Sequence, residues 1–336
     1  MLFGRSKTKL GIDIGTSTLK VAQIKDENGK HLLQTYGVVN VSRQNLKMDS
    51  DVISETALVL KELLDKAHVT TKRIIASLPS NVVFVSAIEI PAMSDKELKS
   101  AIEWEARRYV PLPLEEVTLS WSVVTSPENP SKFKVLITAV PTTVIKNYLK
   151  MFNLAGLEPL ALEIEALALI RSLVGVAQDS LIIIDIGARN TSVNLVDKGF
   201  LKISRNLSVG GDTMTSGIAK NLNISMLRAE QFKIDLGLSA EMEQIPQVMK
   251  QTIDAIKTET GQLIKIFESG GGEVKQVIFA GSGSKLPGLT KYFSDLGLDT
   301  SIGNPLKFIE YNDSIKNNLE KVSAGLAVAL GLAMRE

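Results

Sequence analysis

The 336-residue sequence contains no cysteine, which excludes disulfides, thiolate nucleophiles and cysteine-ligated zinc and fits a reducing compartment. Its histidines are His31 and His68 alone, a poor basis for a histidine metal cluster or a Ser-His-Asp triad. An excess of either charge is lacking too: 38 Lys and Arg against 37 Asp and Glu leave a net +1, so no strong field draws the chain to nucleic acid or to an anionic bilayer. Long apolar runs are missing. The most apolar stretch, 322–334, is shorter than the roughly 20 residues of a membrane span, and its glycines and alanines read as a buried helix. Arg5, Lys7 and Lys9 near the start have no apolar segment behind them. No signal peptide is therefore expected, and any membrane contact is expected to run through a partner.

What is present is a composition of 44% apolar and 22% charged residues, ordinary for a globular protein, in a chain long enough for about two domains. An apolar strand is predicted at 9–14, ending in Asp13-Ile14-Gly15-Thr16-Ser17-Thr18. Leu19, Val21 and Ile24 then alternate as a second strand. Asp26-Glu27-Asn28-Gly29 is a hairpin turn, and a third strand follows to about residue 41. The same design recurs at 181–202. Leu181-Ile182-Ile183-Ile184 runs into Asp185-Ile186-Gly187-Ala188-Arg189-Asn190-Thr191, Val193 and Leu195 alternate, and Asp197-Lys198-Gly199 turns the chain back. Two copies with the same flanks indicate an internal duplication, one copy opening each of two lobes.

Residues 41–150 are expected to form a small inserted α+β unit. Within it, Ser94 and Glu97 match a capping box. The helix they open carries Leu98, Ala101, Ile102 and Tyr109 on one face, a Glu103–Arg107 pair, and Pro111 and Pro113 as a stop. Trp104 and Tyr109 read as core residues. A helix over 163–174 is expected to lead back to the first lobe, completing it as 1–40 plus 151–178. The second lobe is expected at 179–212 and 272–336, with a helical subdomain at 213–271. Helices are predicted at 212–222, 225–236, 246–268 and 322–334, the third ended by Gly270-Gly271-Gly272.

A phosphate chain needs backbone N–H groups at close range, which turns of glycine and small hydroxyl residues supply. Gly15, Thr16, Ser17 and Thr18 form one such turn, with Lys20 able to add charge or to face solvent. Gly187, Asn190 and Thr191 form the equivalent turn of the second copy. Gly210 and Gly211 precede a helix whose N-terminus would favour anions. Gly281, Ser282, Gly283 and Lys285 make a third strand-to-turn site, open enough for a flat ring to approach the backbone. Asp13 and Asp185 hold equivalent positions in the two copies and would face each other across a cleft, as a hydrated Mg²⁺ requires. Neither a P-loop nor a complete Rossmann fingerprint is present.

The order of these motifs resembles the actin, Hsp70 and sugar-kinase superfamily. The resemblance implies an α/β, actin-like (ribonuclease H-like) two-lobed ATPase fold with a small α+β insertion in the first lobe. It also implies ATP and Mg²⁺ as ligands, and Glu230 and Lys233 of Ala229-Glu230-Gln231-Phe232-Lys233 reaching the ribose and adenine. The insertion is similar to that of the FtsA cell-division proteins. Ile90-Pro91-Ala92-Met93-Ser94-Asp95-Lys96-Glu97-Leu98, with Trp104 and Tyr109-Val110-Pro111 beyond it, looks more specifically like the PilM family of type IV pilus and related secretion machines. That family implies a cytoplasmic protein held at the inner face of the membrane. The cytoplasmic tail of a PilN-like membrane protein would dock between the first lobe and the insert, with PilO reached indirectly and homo-oligomerisation left open. For hydrolysis, Glu163 and Glu165 are the acids near the interlobe helix that could orient water, Glu165 being preferred. A small-molecule kinase and an FtsA-like division adaptor or filament former are the alternative readings.

Overall fold

The computed structural model describes residues 7–41, 49–126, 129–176, 179–239 and 246–336. Residues 1–6, part of the segment in which no signal peptide is expected, lie outside them. The chain opens with the antiparallel meander β1 (Lys7–Ile14), β2 (Thr18–Glu27) and β3 (Lys30–Asn40). Asn28 and Gly29 both take positive φ, the conformation a tight two-residue hairpin demands. α1 (Ser50–Lys66) leads to β4 (Arg73–Leu78). Then come β5 (Phe84–Pro91), α2 (Asp95–Tyr109), β6 (Val117–Ser126), β7 (Asn129–Pro141) and α3 (Thr142–Leu154). β8 (Glu158–Ile164) runs straight into α4 (Glu165–Leu169), which a π-helical turn, Ile170–Val174, extends.

The second half repeats the opening. β9 (Ser180–Ile186), β10 (Thr191–Asp197) and β11 (Phe200–Leu207) form another antiparallel meander, its hairpin made by Lys198 and Gly199 at positive φ. Three helices follow, α5 (Gly211–Leu222), α6 (Met226–Leu236) and α7 (Gln247–Ser269). The chain closes with β12 (Val274–Ala280), α8 (Leu289–Tyr292), β13 (Asp299–Ile302), β14 (Ile309–Glu310) and α9 (Lys316–Ala333).

The sheets repeat one design. The first runs β14-β3-β2-β1-β4-β8 and the second β11-β10-β9-β12-β13, so the order meander, then two parallel strands, occurs twice. β1 and β9 are the central strands, which places Asp13 and Asp185 at matching strand ends. Each sheet has its own core. In the second, Ile182, Ile184 and Phe279 pack against Met249, Ile253 and Ile256 of α7, and Phe279 meets Phe293 edge to face at 4.9 Å.

Several expectations change. Of 41–150, β4 lies within the first sheet between β1 and β8, so the separately sheeted unit is β5-β7-β6 with α2 across it. Long-range parallel pairing of this kind leaves no local mark in the sequence. The tail after β13 also departs from the second lobe: β14 pairs with β3, and α9 packs on β1, β2 and α4. Gly11 lets α9 touch the sheet, since a Cβ there would meet the Ala329 carbonyl oxygen at 1.9 Å. Residue 163 lies within β8, and the helix begins only at Glu165. On α2 the capping box forms, Ser94 N–H and Oγ donating to Glu97 at 3.1 and 2.7 Å. Glu103, however, pairs with Lys99 at 4.0 Å and leaves Arg107 aside. Leu98, Ile102 and Ala106 fill the insert's core, while Trp104 and Tyr109 are 61% and 50% exposed, their ring centroids 5.6 and 6.0 Å from the Arg108 guanidinium carbon.

Candidate functional site

The ends of β1 and β9 open onto one cavity of about 490 Å³ between the two sheets. Both Asp-Ile-Gly turns adopt one geometry. Gly15 N–H donates to the Thr18 carbonyl at 3.0 Å, and Gly187 N–H to that of Asn190 at 3.0 Å. A Cβ on either glycine would come within 2.9 or 2.8 Å of that same carbonyl, so the turn can be this tight only without a side chain. Thr16, Ser17 and Thr18 from the first turn and Asn190 from the second line the cavity together with Lys20, Asp13 and Asp185.

Lys20 stands opposite Asp13 in the β1–β2 register and points inward. Its ammonium donates to Asp13 Oδ2 at 2.9 Å, and Ser77 Oγ donates to Oδ1 at 3.1 Å. Ser192 occupies the same register position beside Asp185, so the second copy has no lysine. Burial alone would lower the Lys20 pKa, but Asp13, Asp185 and Glu165 outweigh it and hold the ammonium above its usual range. The acids feel the opposite pressure. Burial pushes Asp185 up to about 6, against the Lys20 charge and with a smaller push from Asp13. Burial, then Asp13 and Asp185, pushes Glu165 up to about 8 against the hydrogen bonds from Ser80.

Glu165 opens α4 and lines the cavity. Glu163 does not. It faces the other way, held by two 3.0 Å bonds from Arg171 with Arg335 at 3.7 Å, and is a buried structural acid. Two further candidates leave the list of cavity residues. Thr191 is fully buried, its Oγ1 donating to the Val209 carbonyl at 2.8 Å. Gly210 lies beneath the second turn, where a Cβ would meet the Gly187 oxygen at 2.5 Å. The N–H groups of Gly211 and Asp212 are already taken by the Gly187 and Ala188 carbonyls at 3.0 and 2.7 Å, so the start of α5 offers fewer free donors than its sequence promised.

On the far wall, Glu230 and Lys233 sit one turn apart on α6 and pair at 2.7 Å, with Thr215 bonded to both. Burial works against the Glu230 charge, but bonds from Lys233 and Thr215 leave its carboxyl below the usual range. Gly281, Ser282 and Gly283 line the cavity. The room left by Gly281, at φ +78°, is filled by Asp185, whose Oδ1 would lie 2.3 Å from a Cβ there. Lys285 is spent on the Glu320 and Lys321 carbonyls of α9 at 3.0 and 2.6 Å. Residues not among the predicted site residues also line the cavity. Ser80 and Asn81 follow Pro79, a recognisable breaker, and Ala324, Gly325 and Val328 come from the small-residue face of α9.

Among the described residues, no three His, Asp or Glu groups are close enough to enclose a metal by themselves. Asp13 and Asp185 nevertheless suit Mg²⁺. Hard carboxylates crowded with Glu165 around a single ammonium gain from an added divalent charge, and Mg²⁺ keeps several waters and phosphate oxygens in its shell. A pH dependence follows. Asp185 and Glu165 bind protons more tightly in the folded chain, at about 6 and about 8, than at their ordinary 3.8 and 4.5. Stability without metal is therefore highest at acid pH and falls as pH rises through that window, by roughly 2 kcal/mol once the water in the cleft is allowed for. Chemical denaturation at pH 5 and pH 8 with EDTA checks the fall, and millimolar Mg²⁺ should recover more of it at pH 8 than at pH 5.

Two duplicated sheets, each central strand ending in an aspartate over one shared cleft, define the actin-like ATPase fold. MreB 5 of Spiroplasma citri bound to AMPPNP shares that fold, with a TM-score of 0.56 at 14% identity over 98% of this chain and 95% of that one.

 The chain belongs to the PilM family: residues 11–336 match the family profile described as type IV pilus assembly protein PilM. It is similar to the solved structure of a PilM-PilN type IV pilus biogenesis complex, at a TM-score of 0.86 and 26% identity over 97% of this chain and 98% of that one. It is also 28% identical over 256 residues to the cell division protein FtsA of Streptococcus pneumoniae serotype 2 (strain D39 / NCTC 7466), covering 68% of this chain and 55% of FtsA. The chain thus spans about half the length of that relative.

Proposed function

We propose that this chain is an ATP-binding scaffold of a type IV pilus assembly platform, or of a type II secretion-like relative. In this reading it lies at the cytoplasmic face of the membrane and docks the cytoplasmic tail of a PilN-like protein, with PilO reached through that partner. The observation that carries the ATP reading is the meeting of both Asp-Ile-Gly turns and Lys20 in one 490 Å³ cavity. Turn N–H groups and the ammonium would take the phosphates, Asp13 and Asp185 would hold Mg²⁺ partly through water, and the Glu230–Lys233 pair on α6 would face the ribose and base. Bound Mg²⁺ would supply charge neutralisation at the phosphates. Glu165 is the residue placed to orient water if the chain hydrolyses ATP. The partner reading draws on the likeness to a PilM–PilN complex and on family membership. Among the described residues no helix is long and apolar enough to cross a membrane, so attachment falls to the partner.

The test is a titration of the full chain with a labelled peptide copying the cytoplasmic tail of its PilN-like neighbour, alongside calorimetry with Mg-ATP. Saturable binding of both is expected. Peptide binding without ATP binding would remove the nucleotide from the reading, and ATP binding without peptide binding would remove the pilus partner.

A further inference from the structure

Ser80 stands where three parts of the molecule meet. It follows β4, a strand of the first sheet, and its turn, Ser80–Val82, leads into β5 of the insert. Its N–H donates to Glu165 Oε2 at 3.3 Å. Its carbonyl accepts from Asn206 Nδ2 at 2.9 Å, and Asn206 belongs to β11, the edge strand of the second sheet. Pro79, Ser80 and Asn81 line the large cavity, whereas Asn206 lies outside it. β11 also runs beside β5, so this edge of the second sheet touches the insert directly.

Behind the turn lies a second cavity of about 30 Å³, walled by Val83 and Val85 on the insert side and by Asn194, Ser204 and Asn206 on the other. That is room for one water, which needs roughly 10–15 Å³. Its polar wall connects to the large cavity: Ser204 Oγ donates to Asn194 Oδ1 at 2.7 Å, Asn194 Nδ2 donates to Ser192 Oγ at 2.9 Å, and Ser192 lines both cavities. An apolar seam would lock the insert to the second lobe. Exchangeable hydrogen bonds beside a water-sized space form a joint that can reset at small cost.

We propose that the turn at residues 79–82 couples occupancy of the large cavity to the setting of the insert, with the Asn206 amide fastening the turn to the second lobe. The inference rests on the nucleotide reading of the cavity. A phosphate-bearing ligand that draws the two Asp-Ile-Gly turns together moves β11 relative to β4, and the Asn206–Ser80 bond passes that movement to β5. A single hydrogen bond limits the coupling to about two- to tenfold.

The test is hydrogen exchange of β5, Phe84–Pro91, in the full chain with and without Mg-AMPPNP, for the native sequence and for Asn206→Asp. The substitution keeps the side chain's size at an exposed position and removes its amide donor. In the native chain the ligand is expected to change β5 exchange severalfold. In Asn206→Asp, Mg-AMPPNP should bind with a Kd within about tenfold of native, exchange without ligand should be unchanged, and the ligand-induced change should fall at least threefold. A full response in the variant, no response in the native chain, or faster exchange to the same extent with and without ligand would overturn the inference while leaving the nucleotide reading intact. Failure of the native chain to bind Mg-AMPPNP would overturn that reading and the inference with it.

Discussion

Gly331→Ala is expected to lower stability by roughly 3 kcal/mol or more, a fall of about 4 °C or more in Tm for a chain of this size. Gly331 lies where α9 crosses α4. A Cβ there would fall 1.9 Å from the Ala168 carbonyl oxygen and 2.6 Å from its carbon. Both are backbone atoms, so no rotamer change relieves the clash and the helices must separate. The Gly331 carbonyl also accepts from Arg171 Nη1 at 2.6 Å, and Arg171 in turn clamps Glu163, so separation disturbs a buried ion pair as well. The same crossing sets the site, because α4 begins with Glu165 and α9 contributes Ala324, Gly325 and Val328 to the cavity wall. Loss of ligand affinity should accompany the loss of stability. Gly261→Ala is the control. It sits within α7 with nothing inside 4 Å of a Cβ, and it should gain about 0.5–1 kcal/mol from helix propensity. Thermal unfolding of both variants gives the comparison. Equal Tm values would mean that the α4–α9 contact is looser than the structure has it.

The duplication was legible in the sequence because each copy is built from local signals: an apolar run, a glycine turn and a hairpin turn with its own backbone demand. Both turns then fall where the two central strands end. What could not be read were the facts that depend on facing and on distance. Glu163 and Glu165 are two residues apart on either side of a strand-to-helix change, and only the position of that change sends one to Arg171 and the other to the cavity. Thr191 opens a strand buried on both faces, so alternation gives no clue to its direction. Lys20 could have faced solvent, and the β1–β2 register decides that it faces Asp13. Trp104 and Tyr109 have core chemistry, yet the helix periodicity already favours Leu98, Ile102 and Ala106, spaced four apart, for the buried stripe. The place of β4 in the first sheet rests on pairing with strands far away in sequence at both edges.

Lys20→Met is expected to weaken Mg-ATP binding by roughly 100-fold, the scale of losing a charge-assisted contact of about 2–3 kcal/mol. Lys20 is the cation held against Asp13 at the cavity floor, and its ammonium lies 3.9 Å from where a Gly15 Cβ would stand, directly below the first glycine turn. Methionine keeps the length and packing of the stem and removes the charge. Asp13 then retains Ser77 as its hydrogen-bond donor, and Asp185 loses the group that opposes its upward shift. The variant's metal-free form should therefore hold protons on its acids to higher pH, and its affinity for ATP without Mg²⁺ should fall further than its affinity for Mg-ATP, because the divalent ion replaces part of the missing charge. Lys20→Arg keeps a cation but enlarges the head in a tight, buried place, and should recover only part of the loss. Calorimetric titrations of the three proteins with ATP, with and without Mg²⁺, separate these effects. Native affinity in Lys20→Met under both conditions would place the phosphates away from the first turn, and would leave Lys20 as the counter-ion that lets Asp13 be buried.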